Sequence, residues 1–318
     1  MMKAADILRA LADPTRLRIV TLLRAMELSV GELAQVLGQS QPRVSRHVKI
    51  LIDADLIDRR KEGSWVFLSL GEGRRVAPLF QMLDAWTAMD GEDPWTAADI
   101  ARLAAVRVER AAAAERYFAG HAAQWDQLRS LHVAESEVEA AIRRALGDRP
   151  IGRLVDIGTG TGRMLEVLGP DAAAILGVDR SPEMLRLARA KLAEAGFGPV
   201  ELRQGDMYAL PLASSSADTV VIHQVLHYAQ QPAAAVAEAA RLLGPGGRLL
   251  IVDFAAHERE ELRSRDAHTR LGFADDAVIR YMNAAGLDGR VVEHLKGGEL
   301  TVTLWIGERR ETQLKVVA

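Results

Sequence analysis

The sequence predicts two domains, an N-terminal α+β domain and a C-terminal α/β domain with a parallel sheet, joined by helices. Its 318 residues exceed the size at which a single hydrophobic core is usual. The first 70 residues show helical periodicity followed by two segments that alternate like strands, and from Ile151 onward strand and helix patterns alternate. The apolar segment 153–157 runs directly into a turn with three glycines, Gly158-Thr159-Gly160-Thr161-Gly162.

Composition limits the compartment and the chemistry. Cysteine is absent from the sequence, which excludes disulfides, thiolate metal sites and cysteine nucleophiles. No apolar run approaches the roughly 20 residues of a membrane-spanning helix, and the N-terminus lacks the apolar core and cleavage site of a signal peptide. We therefore expect a cytoplasmic protein without a membrane partner.

Charge is distributed unevenly along the chain. The net charge is −3, but residues 1–75 contain 13 Lys and Arg against 9 Asp and Glu. The N-terminal part therefore carries an excess of +4, and the rest of the chain carries −7. A basic N-terminal part beside an acidic remainder favours phosphate contact at the N-terminal end.

The first helices are predicted from start and stop signals around apolar residues at helical spacing. Asp13-Pro14 is a start signal, because proline is tolerated in a first helical turn. Ser29 followed by Glu32 three residues later has the form of a capping box, and Gly38 is expected to end the helix that begins there.

The next helix carries the polar groups expected of a DNA reader. Ser40 is placed to cap it, and Val44, Val48 and Leu51 recur on its buried side. Glu32 to Leu51 therefore has the form of a helix-turn-helix, whose second helix enters a major groove. The residues left facing outward on this helix are Gln41, Arg43, Ser45, Arg46 and Lys49.

A β-hairpin is predicted directly after this helix. Ile57–Arg60 and Trp65–Leu70 alternate as two strands, and Lys61-Glu62-Gly63-Ser64 is expected to form the turn. A hairpin directly after a helix-turn-helix is called a wing. Together with this wing, the segments Leu8–Ile19 and Gln39–Lys49 resemble the winged-helix repressors of the ArsR family over about residues 3–90.

That resemblance implies a homodimer, formed through residues 74–90, that binds double-stranded operator DNA. Many relatives sense metals through cysteines, or through carboxylates and histidines on the last helix. This chain has no cysteine, and residues 76–90 contain no histidine. We therefore expect no metal site. A solvated basic face on a protein-binding winged helix is the alternative. By position the implied DNA-binding residues are Ser40, Gln41, Arg43, Ser45, Arg46, His47 and Lys49 on the helix, and Arg59, Arg60 and Lys61 on the wing.

The middle of the chain is predicted to be helical and rich in alanine and arginine. Gly91-Glu92-Asp93-Pro94 has the composition of a joint between domains. The sequence thus predicts a DNA-binding and dimerisation domain at 1–92, a helical linker and lid at 93–147, and a third segment at 148–318.

The glycine turn after the first strand of the C-terminal domain predicts a pocket for a nucleoside. A Cβ at Gly158, Gly160 or Gly162 would obstruct a ligand that needs the backbone at close range. The spacing is G-x-G-x-G, and Arg163 stands where a dinucleotide-binding turn has its third glycine. This argues against NAD and for a nucleoside without a pyrophosphate.

Polar residues end the predicted strands, where a ligand of a parallel sheet lies. Asp179, about 20 residues after the turn, is placed to accept hydrogen bonds from both ribose hydroxyls. Asp206 suits an adenine amino group, and His223 ends the next strand. The strands are expected near 153–157, 175–179, 200–204, 218–223 and 248–253.

Together with Gln204-Gly205-Asp206-Met207 and Leu243–Leu249, these elements resemble the class I S-adenosylmethionine-dependent methyltransferases over about residues 115–310. The resemblance implies a Rossmann-like α/β fold that binds S-adenosylmethionine or S-adenosylhomocysteine. The run Tyr117–Asp126 resembles the lid that precedes many such domains, although core packing also explains its aromatic residues. The implied cofactor-binding residues are Asp156, Gly158, Thr159, Gly160, Gly162, Asp179, Arg180, Met184, Asp206, Met207 and His223.

Histidines near the end of the fourth strand are the candidates for chemistry. His223 and His227 are four residues apart, the spacing of two metal-binding histidines on a helix. They lie on either side of a predicted strand end, however, and no third ligand is nearby, so we expect no metal there. His227 and Tyr228 are candidates for a general base near a methyl acceptor, with packing or lining of a substrate cavity as the alternative.

Two classes of function fit these motifs. In the first, a transcriptional repressor binds S-adenosylmethionine or S-adenosylhomocysteine as its signal, with methionine-cycle genes as the expected target. In the second, an active enzyme methylates a small-molecule acceptor, and the DNA-binding domain controls its own operon. The sequence favours the first, because a DNA reader joined to an intact cofactor pocket has a signal without any acceptor. Methyl transfer needs little beyond an in-line acceptor, so the sequence leaves activity open.

Overall fold

The computed structural model describes residues 2–62, 65–71, 73–90, 95–106, 108, 133–197, 200–297 and 299–310. The chain divides into two compact units, Met1–Ala113, here the N-terminal unit, and Ala114–Ala318, the C-terminal unit. Each unit has its own hydrophobic core. The predicted combination of an α+β domain and an α/β domain is confirmed.

The N-terminal unit consists of helices around a small sheet. The three strands lie in the order β1-β3-β2, with all neighbours antiparallel. The elements in chain order are α1 (Met2–Leu11), α2 (Pro14–Ala25), β1 (Leu28–Ser29), α3 (Val30–Leu37), α4 (Gln41–Asp53), β2 (Ile57–Glu62), β3 (Trp65–Leu70), α5 (Gly73–Asp90) and α6, which is residues 95–106.

Local signals begin and end the helices of this unit. Asp13 accepts hydrogen bonds from the backbone amides of Thr15 (2.8 Å) and Arg16 (3.2 Å) at the start of α2. Ser29 and Glu32 form the predicted capping box, and Gly38 ends α3 with a φ of +66°. Ser40 occupies the N-cap position of α4, but its side chain makes no capping hydrogen bond, so that detail of the prediction is wrong.

The wing is longer than predicted. β2 continues through Lys61 and Glu62, which pair with Val66 and Trp65. Half of the expected turn is therefore strand, and residues 63–64 lie outside the described residues. β1 was not predicted, because two residues are too few to show an alternating pattern, and Leu28 pairs with Leu68 on the other edge of β3.

The C-terminal unit is built on a seven-stranded sheet in the order β6-β5-β4-β7-β8-β10-β9. Its elements are α7 (Glu135–Leu146), β4 (Gly152–Ile157), α8 (Arg163–Leu168), β5 (Ala172–Asp179), α9 (Pro182–Glu194), β6 (Glu201–Gln204), β7 (Ala217–His223), α10 (Pro232–Leu242), β8 (Leu243–Phe254), α11 (Glu261–Arg265), α12 (Asp275–Ala284), β9 (Leu287–Lys296) and β10 (Thr301–Arg309); short 3₁₀ turns lie at Gly169–Asp171 and Leu226–Tyr228.

The sheet contains the five predicted parallel strands and, at one edge, two further strands, β9 and β10, that were not predicted. β6, β5, β4, β7 and β8 are parallel, but β10 is antiparallel to both β8 and β9. Only a few residues separate β9 from β10, and a parallel pair needs a longer crossover connection, so the two strands form a hairpin. The predicted turn at Leu243–Leu249 also differs, since β8 already begins at Leu243 and its register against β7 shifts between Ala217 and Thr219.

Alternating residues of the central strands fill two cores, one on each face of the sheet. Leu154 of β4 belongs to one cluster, whereas Val155 and Ile157 belong to the other. α7 packs into the first cluster through Val138 and Ile142. The sheet is therefore covered on both sides, as a parallel sheet requires.

The segment predicted as a linker, 93–147, is divided between the two units. α6 contributes Leu103 and Val106 to the N-terminal core, whereas α7 lies in the C-terminal core. Tyr117, Phe118 and Trp125, on which the predicted lid depends, lie outside the described residues. Among the residues that are described, no helix is both long and apolar enough to cross a membrane.

Candidate functional site

α4 presents a polar face opposite a buried one. Val44, Val48 and Leu51 are buried against the N-terminal core. On the wing, Arg59 is exposed, whereas the side chains of Arg60 and Lys61 lie outside the described residues. The predicted DNA-binding residues that are exposed at and along α4 are Ser40, Gln41, Arg43, Ser45, Arg46 and Lys49.

Two of the residues predicted to contact DNA are engaged by the protein itself. His47 is half-buried, and its Nδ1 lies 3.7 Å from Oδ1 of Asp13. Burial opposes ionisation of Asp13, but the amide hydrogen bonds of Arg16 and Thr15 and the charges of His47 and Arg16 outweigh it and lower the pKa of Asp13. The Ser45 hydroxyl donates to the carbonyl of Gln41 at 2.9 Å. The structure therefore turns His47 toward α2, while Arg43, Arg46 and Lys49 remain outward.

A clamp of arginines and one aspartate holds α6 against the helix-turn-helix. Arg18 of α2 donates two hydrogen bonds to the buried Asp99 of α6, at 2.6 and 2.7 Å, and a third to the carbonyl of Leu37. Arg102 of α6 donates to the carbonyl of Val36 and to Asp99. The clamp thus reaches the last carbonyls of α3, immediately before the turn that leads to α4.

In the C-terminal unit, the glycine turn after β4 is held close to the sheet. Gly158, Gly160 and Gly162 have φ values of +73°, +53° and +86°, which side chains rarely adopt. A Cβ on Gly158 would lie 2.6 Å from the Cγ2 of Val225. We call the backbone of residues 158–162 the glycine cradle; at Gly158 the Cβ position is occupied by Val225 rather than left open for a ligand.

Two carboxylates stand beside this cradle. Asp156 is buried and accepts a hydrogen bond from the Thr159 hydroxyl at 2.6 Å. Asp179, at the end of β5, accepts from the amides of Gly160 and Ser181, each at 2.8 Å. Burial raises the pKa of Asp179, and these amide hydrogen bonds partly oppose the shift. A carboxylate that already accepts from backbone amides can also accept from a ligand hydroxyl, so the residues present fit a ribose.

Arg163 shows why this turn does not resemble a dinucleotide site. It donates to Glu139 at 2.6 Å and to Glu166 at 2.7 Å. The hydrogen bond with Glu139 is the largest contribution that raises the pKa of Arg163. A dinucleotide turn has a glycine here for close approach of helix and strand, whereas this chain has a charged network.

The remaining predicted cofactor residues lie at the carboxyl ends of β5, β6 and β7. Asp206 is exposed, and its Oδ1 accepts from the amide of Tyr208 at 3.1 Å. Met184 of α9 and His223 at the end of β7 are buried, Met207 is half-buried, and Arg180 is exposed. The fold therefore brings all these predicted residues to one edge of the sheet.

A buried histidine and aspartate face each other at the same edge. His227 Nδ1 lies 2.7 Å from Oδ1 of Asp253, and both side chains are almost completely buried. The Tyr228 ring lies 4.0 Å from the His227 ring, centroid to centroid. The sequence analysis did not predict a role for Asp253. Its position near the end of β8, like that of Asp179 at the end of β5, could have identified it as a candidate site residue.

The 3₁₀ turn that carries His227 is fixed by side chains from two other segments. The Tyr208 hydroxyl accepts hydrogen bonds from the amides of Gln230 (2.7 Å) and Gln231 (3.2 Å). Arg270 donates its backbone amide to the carbonyl of His227 and its guanidinium to the carbonyls of Ala229 and Gln230. Burial raises the pKa of Tyr208, so its hydroxyl stays protonated.

Comparison with known families identifies both units. The profile of bacterial regulatory proteins of the arsR family matches residues 13–59. A methyltransferase domain profile matches residues 155–251, which include the glycine cradle, Asp179 and the segment of His227. The chain joins an ArsR-family helix-turn-helix to a methyltransferase domain. The ArsR-type domain indicates a DNA-binding regulator, and the methyltransferase domain confirms S-adenosylmethionine or S-adenosylhomocysteine as its ligand at the level of the family.

Individual relatives match only part of this chain. An uncharacterized 37.1 kDa protein in transposon TN4556 of Streptomyces fradiae is 33% identical over 162 residues, which are 49% of this chain and 46% of that protein. A phosphatidylethanolamine N-methyltransferase of Cereibacter sphaeroides is 34% identical over 136 residues, 42% of this chain and 62% of that enzyme. The chain thus spans about half to three-fifths of the length of these curated relatives.

A solved structure supports the fold of the methyltransferase domain. The YcgJ protein of Bacillus subtilis superposes with a TM-score of 0.50 at 21% sequence identity, covering 56% of this chain and all of that protein. At this identity the likeness concerns the fold alone. Within the described ranges, no group of three or more His, Asp or Glu side chains is arranged to hold a metal ion.

Proposed function

We propose that this chain is a DNA-binding transcriptional repressor whose methyltransferase domain binds S-adenosylmethionine or S-adenosylhomocysteine as its signal. The clamp of Arg18, Asp99 and Arg102 carries the proposal. It fixes α6, which follows the DNA-binding domain in the chain, to the carbonyls that precede the reading helix. A displacement of α6 would therefore pull on the end of α3 and change the orientation of α4.

The DNA-binding half of the proposal depends on the outward face of α4. Arg43, Arg46 and Lys49 are exposed there and supply charge for phosphates and donors for base edges. A homodimer places two such helices one helical turn apart on a palindromic operator. Exposed Trp86 and Met89 on α5 support dimerisation through that helix, as predicted for residues 74–90.

The ligand-binding half depends on the glycine cradle and Asp179. The cradle accepts the methionine part of the ligand close to the backbone, Asp179 accepts the ribose hydroxyls, and Asp206 accepts the adenine amino group. S-adenosylhomocysteine is the product whenever S-adenosylmethionine donates its methyl group, so its level reports methyl-group turnover. Genes of the methionine cycle are therefore the proposed target.

Regulation requires that the ligand bind the DNA-competent and DNA-incompetent dimers with different affinities. A coupling of about 1 to 3 kcal/mol changes operator affinity by roughly 5- to 150-fold, and the operator changes ligand affinity by the same factor. This reciprocity gives the proposal two independent measurements.

The test titrates S-adenosylmethionine and S-adenosylhomocysteine into the full chain bound to operator fragments that the protein selects from genomic DNA. One of the two compounds should change operator affinity at least about 5-fold. Asp179→Ala is the matched variant: it should still bind the operator but lose the response. An operator affinity that neither compound changes, in protein that binds both by calorimetry, would contradict the signal role.

The second candidate function is an active small-molecule methyltransferase with an autoregulatory DNA-binding domain. The pair of His227 and Asp253 favours it, because a domain that only senses a ligand has no need of a buried histidine held by a carboxylate. Production of S-adenosylhomocysteine together with a methylated acceptor, without any effect on operator affinity, would support this function over the first.

A further inference from the structure

The hydrogen bonds of Asp253 determine which nitrogen of His227 carries the proton. Oδ2 accepts from the amide of His227 at 3.1 Å, and Oδ1 accepts from the amide of Phe254 at 2.7 Å as well as facing His227 Nδ1. A carboxylate that accepts from N–H groups on both oxygens leaves Nδ1 as a donor. The network therefore assigns the proton to Nδ1 and a free lone pair to Nε2.

The Nε2 atom of His227 is buried and has no hydrogen-bond partner among the residues that the structure describes. An unpaired buried acceptor is unfavourable, and such groups in native proteins generally have a reason. The orphaned lone pair points to a partner that is a ligand.

The position of His227 relates it to the proposed ligand. It lies in the turn between β7 and α10, beyond the carboxyl ends of the parallel strands, where ligands of such sheets bind. Val225, two residues earlier, occupies the space that a Cβ on Gly158 would need. The turn of His227 thus lies directly against the glycine cradle, and Tyr208 and Arg270 hold it in place.

The surroundings of His227 indicate the class of acceptor. Its ring centroid lies 4.0 Å from that of Tyr228, 4.2 Å from that of His268 and 5.1 Å from that of Phe254. Aromatic side chains pack favourably against another aromatic ring, and a hydroxyl supplies the single proton donor that the lone pair of Nε2 can accept. An acceptor with a neutral aromatic hydroxyl therefore fits best.

We propose that His227 is the general base of a methyl transfer to a phenol-type hydroxyl, with Asp253 as its positioning residue. The acceptor oxygen forms a bond to the methyl carbon, the bond between that carbon and the sulfonium sulfur breaks with its electron pair staying on sulfur, and the hydroxyl proton passes to Nε2 of His227. The products are the methyl ether, S-adenosylhomocysteine and a histidinium that Asp253 stabilises. This inference rests on the proposed adenosyl site.

The experiment compares two probes, phenol and 4-nitrophenol, with the full chain and S-adenosylmethionine at a mildly alkaline pH, where 4-nitrophenol is mostly ionised and phenol is not. Phenol must lose its proton during transfer, whereas 4-nitrophenol is already largely ionised and needs no base. His227→Gln should lower kcat for phenol by about 10²- to 10⁴-fold and leave 4-nitrophenol far less affected. A structural role would lower both rates equally and would contradict the proposal.

Two further readouts test the same assignment, and the first of them does not depend on turnover of phenol. ¹⁵N NMR of the protein with S-adenosylhomocysteine should show His227 protonated at Nδ1, and Asp253→Asn should shift the proton toward Nε2. The low-pH decline of the phenol rate should disappear in His227→Gln. The ionisable groups against His227 are Asp253 from β8, its neighbour Tyr228, and His268 and Arg270 from the segment before α12.

The control is His294→Gln, because His294 also faces an aspartate, Asp275, at 2.9 Å, but on the surface. It should leave both rates unchanged. Calorimetry with S-adenosylhomocysteine separates the two proposals: absence of binding in the unchanged protein overturns the adenosyl site and this inference with it. Intact binding without production of methyl ether from either probe, or with an Nε2-protonated His227, overturns the general base alone.

Discussion

The contact between Gly158 and Val225 allows us to predict how much stability a side chain at position 158 would cost. In Gly158→Ala, the new Cβ meets Val225 Cγ2 at 2.6 Å and Cγ1 at 2.7 Å, closer than real contacts allow. Val225 is β-branched, so it has few rotamers into which to move. Overpacking of this kind costs about 1 to 3 kcal/mol. The φ of +73° adds about 1 to 2 kcal/mol for a residue with a side chain.

The total expected loss for Gly158→Ala is thus about 2 to 5 kcal/mol of unfolding free energy. Gly196→Ala is the matched control, since Gly196 has a φ of +80° but nothing within 4 Å of its Cβ position. It should lose only the backbone part, about 1 to 2 kcal/mol. The difference between the two variants measures the contact with Val225.

Urea unfolding followed by tryptophan fluorescence, to which the fully buried Trp305 of the C-terminal unit contributes, provides the assay. Val225→Ala added to Gly158→Ala should recover part of the loss, because it removes both γ-carbons. Equal losses for Gly158→Ala and Gly196→Ala, or no recovery in the double variant, would refute the reasoning that the turn of His227 presses on the cradle.

The other predictions concern the ligand, the DNA and the clamp. Asp179→Ala should weaken S-adenosylhomocysteine binding by about 2 to 4 kcal/mol by calorimetry, because two charge-assisted hydrogen bonds are lost; unchanged affinity would remove this assignment. Asp179 binds the ligand as a carboxylate, and burial raises the pKa of this side chain. Ligand affinity should therefore be full above that pKa and fall as the pH drops below it, and the fall should begin at a higher pH than for an ordinary aspartate. Asp179→Asn should show no such decline. Arg46→Ala should weaken binding to operator DNA by about 1 to 3 kcal/mol and binding to random DNA by less. Arg59→Ala should mainly reduce, by about one, the slope of log binding constant against log salt concentration, measured by filter binding or anisotropy. Equal losses on both DNAs for Arg46→Ala would argue against base reading. Asp99→Ala removes the buried carboxylate that Arg18 and Arg102 share and should cost about 3 to 5 kcal/mol of stability in urea. Asp84→Ala, which breaks the exposed pair with Arg24, should have little effect. Similar losses would mean that the clamp is not buried as described.

The sequence predicted the elements whose signals are local. The capping box of Ser29 and Glu32, the end of α3 at Gly38 and the glycine turn each depend on a few neighbouring residues, and the structure contains them. The five parallel strands were also predicted, because buried strands between helices have continuous apolar runs.

What the sequence did not predict depends on pairing between distant residues. Asp99 meets Arg18 across 81 positions, and no pattern near either residue signals the other. The partner of His227 is 26 positions away, on a strand whose end was predicted without a role for its aspartate. β9 and β10 were not predicted as strands, and their antiparallel pairing at the edge of the sheet depends on the contact of β10 with β8, which lies far from it in the chain.

The charged network at Arg163 limits how this pocket could change its ligand. Replacing Arg163 by glycine, as a dinucleotide turn requires, would leave Glu139 and Glu166 without the cation that they share. Two uncompensated carboxylates would then stand near the place where a pyrophosphate must lie, and like charges there would repel it. A change toward dinucleotide binding would need all three positions to be altered together, so single substitutions would lose the present ligand site before gaining another.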